Sequence, residues 1–247
     1  MIDFVRTDTD DAVRVITLTR TDKKNALTQA MYSALTEALQ QASADDAIRA
    51  VLLQGDENVF CAGNDLQDFL SLSEIGPDSP ILRFLMTLLH FEKPLLAAVA
   101  GPAVGIGTTV LLHCDWVVAH DNARFQLPFV ALGLCAEAGS SALLARRVGQ
   151  ANANEWLLTG RPYNAEQALS QGLINKTVSQ DVCAAGLKQA KTIASLPCKA
   201  VMTTKALIRK PYLAEAEQAI HEEAAQFVQL LKGDECKAAI SAFFNQR

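Results

Sequence analysis

Two glycine-bearing turns are the first candidates for chemistry in this chain. One spans residues 60–66 (FCAGNDL) after an apolar segment that ends near Gln54, and the other spans residues 101–107 (GPAVGIG) after one that ends at Ala100. Each turn leads from a predicted strand into a predicted helix, where main-chain N–H groups are unpaired and the helix N-terminus adds partial positive charge. Two such donors aimed at one point would form an oxyanion hole. Glycine turns at strand ends are common, so a purely structural role is the alternative.

Other catalytic motifs are absent or incomplete. The second turn has Val110 where a dinucleotide fingerprint needs its third glycine, and no Walker-type phosphate loop occurs. The segment 221–225 (HEEAA) starts like a zinc-binding helix but lacks a second histidine one turn later, so we predict a solvated helix face. Residues 139–141 (GSS) do not form a nucleophile elbow. The histidines share no motif, and we predict neither a metal site nor a catalytic triad.

The composition excludes several classes of protein. Half of the 247 residues are apolar, and 22 Lys and Arg stand against 27 Asp and Glu, for a net charge of -5. A disordered chain would show low hydrophobicity and high net charge, and this chain shows the reverse. Nucleic acid is an improbable partner because no stripe of cations could neutralise phosphates. The chain is long enough to bury a large core.

The cysteines and the termini favour a cytoplasmic protein. The six cysteines contain no C-x-x-C pair and lie mostly in apolar stretches, which indicates buried thiols in a reducing compartment. The acidic N-terminus has no apolar signal core, and the last three residues are not a peroxisomal signal. Residues 94–114 carry no full charge and could mimic a membrane span, but Pro102 and three glycines would break the helix. We therefore expect a buried strand, a glycine turn and a buried helix there, and no membrane association.

The elements that must position the two turns alternate between strand and helix patterns. Residues 13–18 alternate with period two, and Met31, Leu35, Leu39 and Ala42 then recur at helical spacing after a possible Thr28 cap. Buried strands are predicted at residues 50–53, 95–100 and 116–119. This alternation predicts an α/β layer structure with largely parallel strands. Residues 68–80 form the weakest stretch, and we expect a loop there.

The last quarter of the chain reads as helices. Breaks are expected at Pro197 and Pro211, and residues 213–231 show one apolar face in steps of three and four. Such a helix must bury its stripe against the main domain or against a neighbouring subunit.

Several segments resemble a known family in order and at consistent intervals. They are Arg20-x4-Asn25-Ala26-Leu27, Phe60-Cys61-Ala62-Gly63-x-Asp65-Leu66, Lys93-Pro94-x5-Ala100-Gly101-x3-Gly105-x-Gly107, Cys114-Asp115 and Phe125-x2-Pro128-x4-Gly133-Leu134. Together they resemble the crotonase, or enoyl-CoA hydratase/isomerase, superfamily. The resemblance implies a spiral of ββα units and an acyl-CoA ligand. Residues 1–195 would form the acyl-CoA-binding and catalytic core, and residues 196–247 a helical region that assembles homotrimers or dimers of trimers.

The resemblance also implies roles for the turns. The backbone N–H groups of Ala62 and Ile106 would hold the thioester oxygen as it becomes an enolate. Residues around Lys23 and Lys24, together with the segment Ala62, Gly63, Asn64, Asp65 and Leu66, would face the CoA moiety. The alternative for the lysines is a solvated turn. CoA would be part of the substrate, so we expect no separate cofactor.

Departures from the hydratase pattern bear on the reaction. Hydratases of this family carry one glutamate after the second glycine turn and another directly after the proline matched to Pro128. This chain has Thr109 and Phe129 at those places. Adding water across a double bond needs carboxylates that position and deprotonate it, so efficient hydration is doubtful.

A different acid is available at Glu137, which lies in a small-residue turn. The sequence here resembles the peroxisomal-type Δ3,Δ2-enoyl-CoA isomerases and their bacterial relatives, which use one glutamate at this position. The preceding segment 125–129 (FQLPF) and Asn64 in the first turn also resemble that branch of the family. That carboxylate would take a proton from C2 of a 3-enoyl thioester and return it to C4. Its sequence neighbours Phe129, Leu132, Leu134 and Ala136 would raise its pKa.

Three smaller questions stay open in the sequence. Glu137 could instead cap the helix that begins near Gly139. The side chain of Asn64 could form a hydrogen bond near the reaction centre, or it could only favour the conformation of the turn. Asp65 is better explained as a cap of the next helix than as a catalyst. We expect an enoyl-CoA isomerase; another crotonase reaction, such as hydration or thioester hydrolysis, and a non-catalytic CoA-binding protein are the alternatives.

Overall fold

The computed structural model describes residues 4–70, 76 and 78–245. Of the loop expected at residues 68–80, residues 71–75 and 77 lie outside these described residues, and residues 68–70 belong to a helix. Within them, the strands are β1 (Val5–Asp10), β2 (Val13–Leu18), β3 (Ala50–Gln54), β4 (Leu95–Val99), β5 (Pro102–Val104), β6 (Trp116–His120), β7 (Arg124–Gln126), β8 (Tyr163–Asn164) and β9 (Lys176–Val178). The helices are α1 (Gln29–Ala44), α2 (Leu66–Leu70), α3 (Pro80–Leu89), α4 (Ile106–Thr109), α5 (Ser140–Val148), α6 (Gln150–Thr159), α7 (Ala165–Ser170), α8 (Val182–Ala194), α9 (Cys198–Arg209), α10 (Leu213–Leu231) and α11 (Asp234–Asn245).

The larger sheet is almost entirely parallel, as predicted. Its strand order is β1-β2-β3-β4-β6-β9, and only the β1–β2 pair is antiparallel. The expected strands at residues 13–18, 50–53, 95–100 and 116–119 are all present. The Thr28 cap is also confirmed, since its hydroxyl accepts the N–H of Met31 at 3.3 Å. The mostly exposed edge strand β1 (VRTDTD) has no apolar pattern, so the sequence did not predict it.

Both faces of the central strands of this sheet are buried, which explains their continuous apolar runs. Ala50 and Leu52 of β3 pack in one cluster with residues of α8, including Val182 and Ala190. Their neighbours on the opposite face, which include Val51, join a larger core with α1, α3 and α5.

A smaller sheet, with the order β5-β7-β8, brings the two glycine turns together. The N–H of Cys61 donates to the carbonyl of Pro102 at 3.0 Å, and the N–H of Val104 donates back to the carbonyl of Cys61 at 2.9 Å. The first turn is thereby paired with β5, from which the second turn continues. These strands of two or three residues are too short to show a periodic pattern.

Residues 94–114 form the strand, glycine turn and short helices that we expected. β4 and β5 are followed by α4 and by a 3-10 turn over Val110–His113. Among the residues that the structure describes, no helix has the length and hydropathy to cross a membrane.

The C-terminal helices lie on the core of the same chain. Breaks occur around Pro197 and Pro211 as expected, and α10 packs on α3 and α5. The predicted apolar face of α10 is buried at Ala216, Ile220, Phe227 and Leu231.

Helix α9 is fixed to the core through two cations. The Nζ atom of Lys205 donates to the Lys93 carbonyl and to Asp115, both at 2.7 Å. The guanidinium of Arg209 donates to the carbonyls of Leu89, Phe91 and His113. Helices α9 and α10 therefore pack on the core of the same chain.

Candidate active site

The first glycine turn is held by the loop at residues 20–27. Arg20 donates to the Asp65 carboxylate at 2.7 Å and to the Ala26 carbonyl at 2.8 Å. The buried amide of Asn25 donates to the carbonyls of Val59 and Phe60. These contacts explain why Arg, Asn and Asp occur together in the sequence pattern, because they fix the turn from both sides.

The Ala62 N–H is not free, which corrects our expectation that it helps to form the oxyanion hole. It donates to the Lys24 carbonyl at 2.9 Å. In a trans peptide the C=O and the following N–H point in opposite directions. Because the Cys61 carbonyl faces Val104, the Ala62 N–H must point the other way, toward the lysine loop.

The same rule identifies Asn64 as the outward-facing donor of the first turn. The Gly63 carbonyl accepts the Leu27 N–H at 2.8 Å, so the Asn64 N–H points away from that loop and toward the side of the second turn. Among the described residues it has no acceptor. No pattern in the sequence predicts which N–H group is free, because the hydrogen-bond partners of each peptide group set its direction.

The second turn presents the Ile106 N–H at the N-terminus of α4, as expected. The Gly105 carbonyl accepts the N–H groups of Thr108 and Thr109, so the Ile106 N–H points out of the helix, where no described residue accepts it. The two turns are in contact, because a methyl group on Gly105 would lie only 4.0 Å from the Gly63 Cα. The structure therefore supports two adjacent free donors, on Asn64 and Ile106.

Glu137 is buried beside these turns, with 8% of its surface exposed. Its carboxylate accepts a hydrogen bond of 2.5 Å from the hydroxyl of Thr109, one helical turn after Ile106. Burial raises the pKa of Glu137 to about 8; the Thr109 hydrogen bond lowers it and the charge of Glu223 raises it. Sequence reasoning had treated Thr109 only as a missing carboxylate and did not predict its contact with Glu137.

A small cavity connects Glu137 with the first turn. Its lining residues are Asn64, Ile81, Leu85, Glu137, Ala138, Ile220, Ala224 and Phe227. The apolar part of this lining comes from α3 and α10, whereas we had expected it from residues adjacent to Glu137 in sequence. The Asn64 side chain lies at the cavity and accepts a hydrogen bond from the Tyr32 hydroxyl at 2.6 Å.

The Glu137 carboxylate does not cap α5, so the alternative role that the sequence allows for it is excluded. The N–H groups of Gly139 and Ser141 donate instead to the carboxylate of Glu223, at 2.6 and 2.8 Å. Glu223 is only 7% exposed, so the prediction of a solvated face at residues 221–225 is wrong for this residue. His221 and Glu222 are exposed as predicted.

The remaining predicted residues surround the first turn. Asp65 caps α2 by accepting the N–H groups of Gln67 and Asp68, as expected. Leu66 begins α2 and is half-buried. Lys23 and Lys24 are exposed on the loop that pairs with Ala62, which leaves both the CoA contact and the solvated turn open for them.

Phe129 occupies the other place where hydratases carry an acid. It is buried, and its ring lies 3.8 Å from the position of a methyl group on Gly105. The second turn is thus covered by an aromatic ring. Among the described residues, no group of three or more His, Cys, Asp or Glu side chains could hold a metal ion.

Comparisons with known proteins show the family to which the chain belongs. A model of the family described as enoyl-CoA hydratase/isomerase matches residues 8–247. The chain belongs to this family. It is 35% identical over 245 residues to enoyl-CoA delta isomerase 2 of Rattus norvegicus. This alignment covers 96% of the present chain but only 62% of the length of the rat protein. It is 32% identical over 244 residues to a probable enoyl-CoA hydratase of Rhizobium meliloti, covering 97% of this chain and 94% of that protein.

The fold has similar solved structures. The structure of OdaA from Pseudomonas aeruginosa shares 44% identity with this chain, with a TM-score of 0.95 and 98% of each chain covered. The predicted crotonase-like α/β fold is therefore confirmed. The relatives' names include both isomerase and hydratase, so membership of the family does not choose between the two reactions.

Proposed function

We propose that this protein is a Δ3,Δ2-enoyl-CoA isomerase, which moves a double bond of an acyl-CoA from C3 to C2. The observation that carries the proposal is the buried carboxylate of Glu137, which lines an apolar cavity beside two turns with free N–H donors. The similarity to the rat protein named enoyl-CoA delta isomerase 2 also supports it.

The proposed mechanism begins with removal of a proton from C2. Glu137 takes this proton, and the electron pair moves through the thioester carbonyl to give a dienolate. The N–H groups of Asn64 and Ile106 hold the oxygen where the negative charge develops, which can stabilise the transition state by roughly 3 kcal/mol per donor. Glu137 then returns the proton to C4, and the double bond lies between C2 and C3.

The environment of Glu137 suits this exchange. A base works best when its pKa lies near the working pH, and burial brings the pKa of Glu137 to about 8. The same carboxyl group must give the proton back, and a raised pKa keeps the protonated form accessible. The step is internal to the substrate, so the proposal needs no cofactor beyond the CoA of the substrate itself.

Hydration is disfavoured by two contacts. The Thr109 hydroxyl already donates to Glu137, and the Phe129 ring covers the second turn. Neither side chain can deprotonate a water molecule, so Glu137 would have to activate water alone.

The test uses purified protein and 3-hexenoyl-CoA, with the absorbance of the conjugated 2-enoyl thioester as the readout. We expect turnover in the wild type, a loss of kcat of at least about a thousandfold in Glu137→Gln because the base is removed, and no change in Glu166→Gln, an exposed glutamate. No conjugated product from the wild type, or full activity in Glu137→Gln, would contradict the proposal.

Two further measurements separate the alternatives. Fast hydration of crotonyl-CoA would indicate a hydratase and contradict the argument from Thr109 and Phe129. Binding of acyl-CoA without turnover of any substrate in a panel would indicate a non-catalytic CoA-binding protein.

Binding of the CoA moiety, assembly and location belong to the same proposal. Lys23 and Lys24 lie next to the first turn, where their charges can meet the phosphates of CoA. A homotrimer or dimer of trimers would cover the exposed apolar residues of α9. The six cysteines are free thiols, which fits a reducing compartment such as the cytoplasm.

A further inference from the structure

Helix α5 is capped by a residue that lies more than eighty positions away in the chain. Its N-cap is Gly139, which has no side chain, so the first N–H groups need another acceptor. The Glu223 carboxylate on α10 supplies both oxygens: Oε2 accepts from Gly139 at 2.6 Å and Oε1 accepts from Ser141 at 2.8 Å. Charged acceptors at a helix N-terminus form the stronger class of hydrogen bond.

The turn that Glu223 holds is the one that carries Glu137. Ala138, directly after Glu137, has a φ of 61°, a left-handed conformation that is uncommon for a residue other than glycine. Such a conformation persists only where the surroundings fix it. The carbonyl of Ala138 is bonded on the other side by Nε2 of His113 at 2.9 Å, and burial lowers the pKa of His113 to about 4, so its ring is neutral.

Glu223 also acts on Glu137 through its charge, which raises the pKa of Glu137. Tyr32 on α1, Cys61 in the first turn and Cys135 just before Glu137 also interact electrostatically with Glu137. Burial raises the pKa of Cys61 to about 12, that of Cys135 to about 11 and that of Tyr32 well above its usual value, so these groups are uncharged near neutral pH. Glu223 is the neighbour in this set whose charge raises the pKa of Glu137. Burial raises the pKa of Glu223 itself, and the hydrogen bonds from Ser141 and Gly139 lower it.

We propose that Glu223 is a positioning residue for Glu137: by accepting the N–H groups of Gly139 and Ser141, it fixes the turn that aims the Glu137 carboxylate into the cavity. This inference rests on the proposed role of Glu137 as the base. Helix α10 also lines the cavity through Ile220, Ala224 and Phe227, on the same face as Glu223. One helix therefore shapes the pocket for the acyl chain and holds the base against it.

The first test compares Glu223→Gln with Glu222→Gln, a matched control on the exposed face of the same helix. A glutamine can accept only one of the two N–H bonds, and its own amide meets the other N–H. We expect kcat for 3-hexenoyl-CoA to fall roughly tenfold or more in Glu223→Gln with KM little changed, because small displacements of a catalytic group are costly. Glu222→Gln should match the wild type.

The second readout does not depend on substrate. Titration of Glu137 is followed by NMR in protein labelled with ¹³C at the glutamate carboxyls, with Glu137→Gln identifying the signal. Glu223→Gln removes a like charge, so the pKa of Glu137 should fall by roughly half a unit or more, and the acid limb of the kcat/KM profile should move to lower pH by the same amount. A cap that holds α5 without acting on Glu137 would not produce this shift.

A second variant separates the effect of the position of Glu223 from the effect of its charge. It also replaces Glu223→Gln as the test if that variant does not fold. Glu223→Asp keeps the charge but shortens the side chain, so kcat should fall while the titration of Glu137 moves less than in Glu223→Gln. Wild-type kcat in Glu223→Asp, or wild-type kcat and titration in Glu223→Gln, would overturn the proposal. If the wild type itself shows no isomerase activity, the proposed function fails, and the NMR titration still decides whether Glu223 acts on Glu137.

Discussion

Glu137 meets two opposing requirements through its immediate contacts. A buried carboxyl group is a stronger base but is costly to ionise, and a hydrogen bond to the ionised form offsets part of that cost. The hydroxyl of Thr109 supplies this bond at 2.5 Å, while burial by α3 and α10 keeps the pKa high. Both the strength and the availability of the base therefore depend on side chains that are distant in sequence.

Removing the Thr109 hydroxyl should move the pH profile of the reaction. Thr109 lowers the pKa of Glu137 by stabilising its charged form, so Thr109→Val should raise that pKa above about 8. The base is active when ionised, so the acid limb of kcat/KM should move to higher pH by roughly half to one unit, and the rate at pH 7 should fall. Thr109→Ser, which keeps the hydroxyl, is the control. An unchanged profile in Thr109→Val would mean that the bond does not tune the base.

The two glycine turns act as one element, although they are separated in sequence. Pairing of residues 61 and 103 brings the turns into contact, and the direction of each peptide then decides which N–H is free. Gly107 allows this close approach, because a methyl group there would lie 2.4 Å from the carbonyl oxygen of Cys61. The donors on Asn64 and Ile106 depend on that spacing.

Gly107→Ala should therefore damage the site and the fold together. The added methyl group must push the two turns apart, which we expect to cost about 1–3 kcal/mol of stability and to lower kcat at least tenfold. Gly76→Ala is the control, because a methyl group at Gly76 meets no atom of the described residues within 4 Å. Urea unfolding and the 3-hexenoyl-CoA assay measure the two effects. Wild-type stability and activity in Gly107→Ala would show that the turns tolerate a wider separation.

At the scale of the whole molecule, the C-terminal helices contribute to the candidate active site. Its helix α10 lines the cavity, and Lys205 of α9 is bonded to the carbonyl of Lys93 and to Asp115. Most other residues of α9 are exposed, including Leu207 and Ile208, each with 64% of its surface accessible. An exposed apolar face on a helix that is firmly anchored favours contact with another copy of the chain.

Assembly should depend on that face. We expect the wild type to have the mass of a trimer or hexamer by light scattering, and the double variant Leu207→Asp, Ile208→Asp to have a lower mass, because two charges cannot be buried without partners. Lys199→Asp, on an exposed position of the same helix, is the control. A monomeric wild type, or an unchanged mass in the double variant, would contradict this prediction.

Much of the fold could be predicted from the sequence, because apolar periodicity and helix caps are local properties. The central strands, the Thr28 cap, the breaks at Pro197 and Pro211 and the buried stripe of α10 were all confirmed. The strands β5, β7 and β8 were not predicted, since two or three residues carry no period. The sequence also placed Glu137 and Ile106, whose surroundings in the structure support their proposed roles.

The tertiary structure decided which groups face one another. It replaced Ala62 by Asn64 as the free donor, because the direction of a peptide is set by its pairing partners. It showed that Glu223, which looked like part of a solvated face, caps the helix after Glu137. It also placed Thr109 against the carboxylate. Sequence spacing determines local conformation and the side chains available for chemistry, but a buried contact between residues 28 or 84 positions apart exists only once the chain has folded.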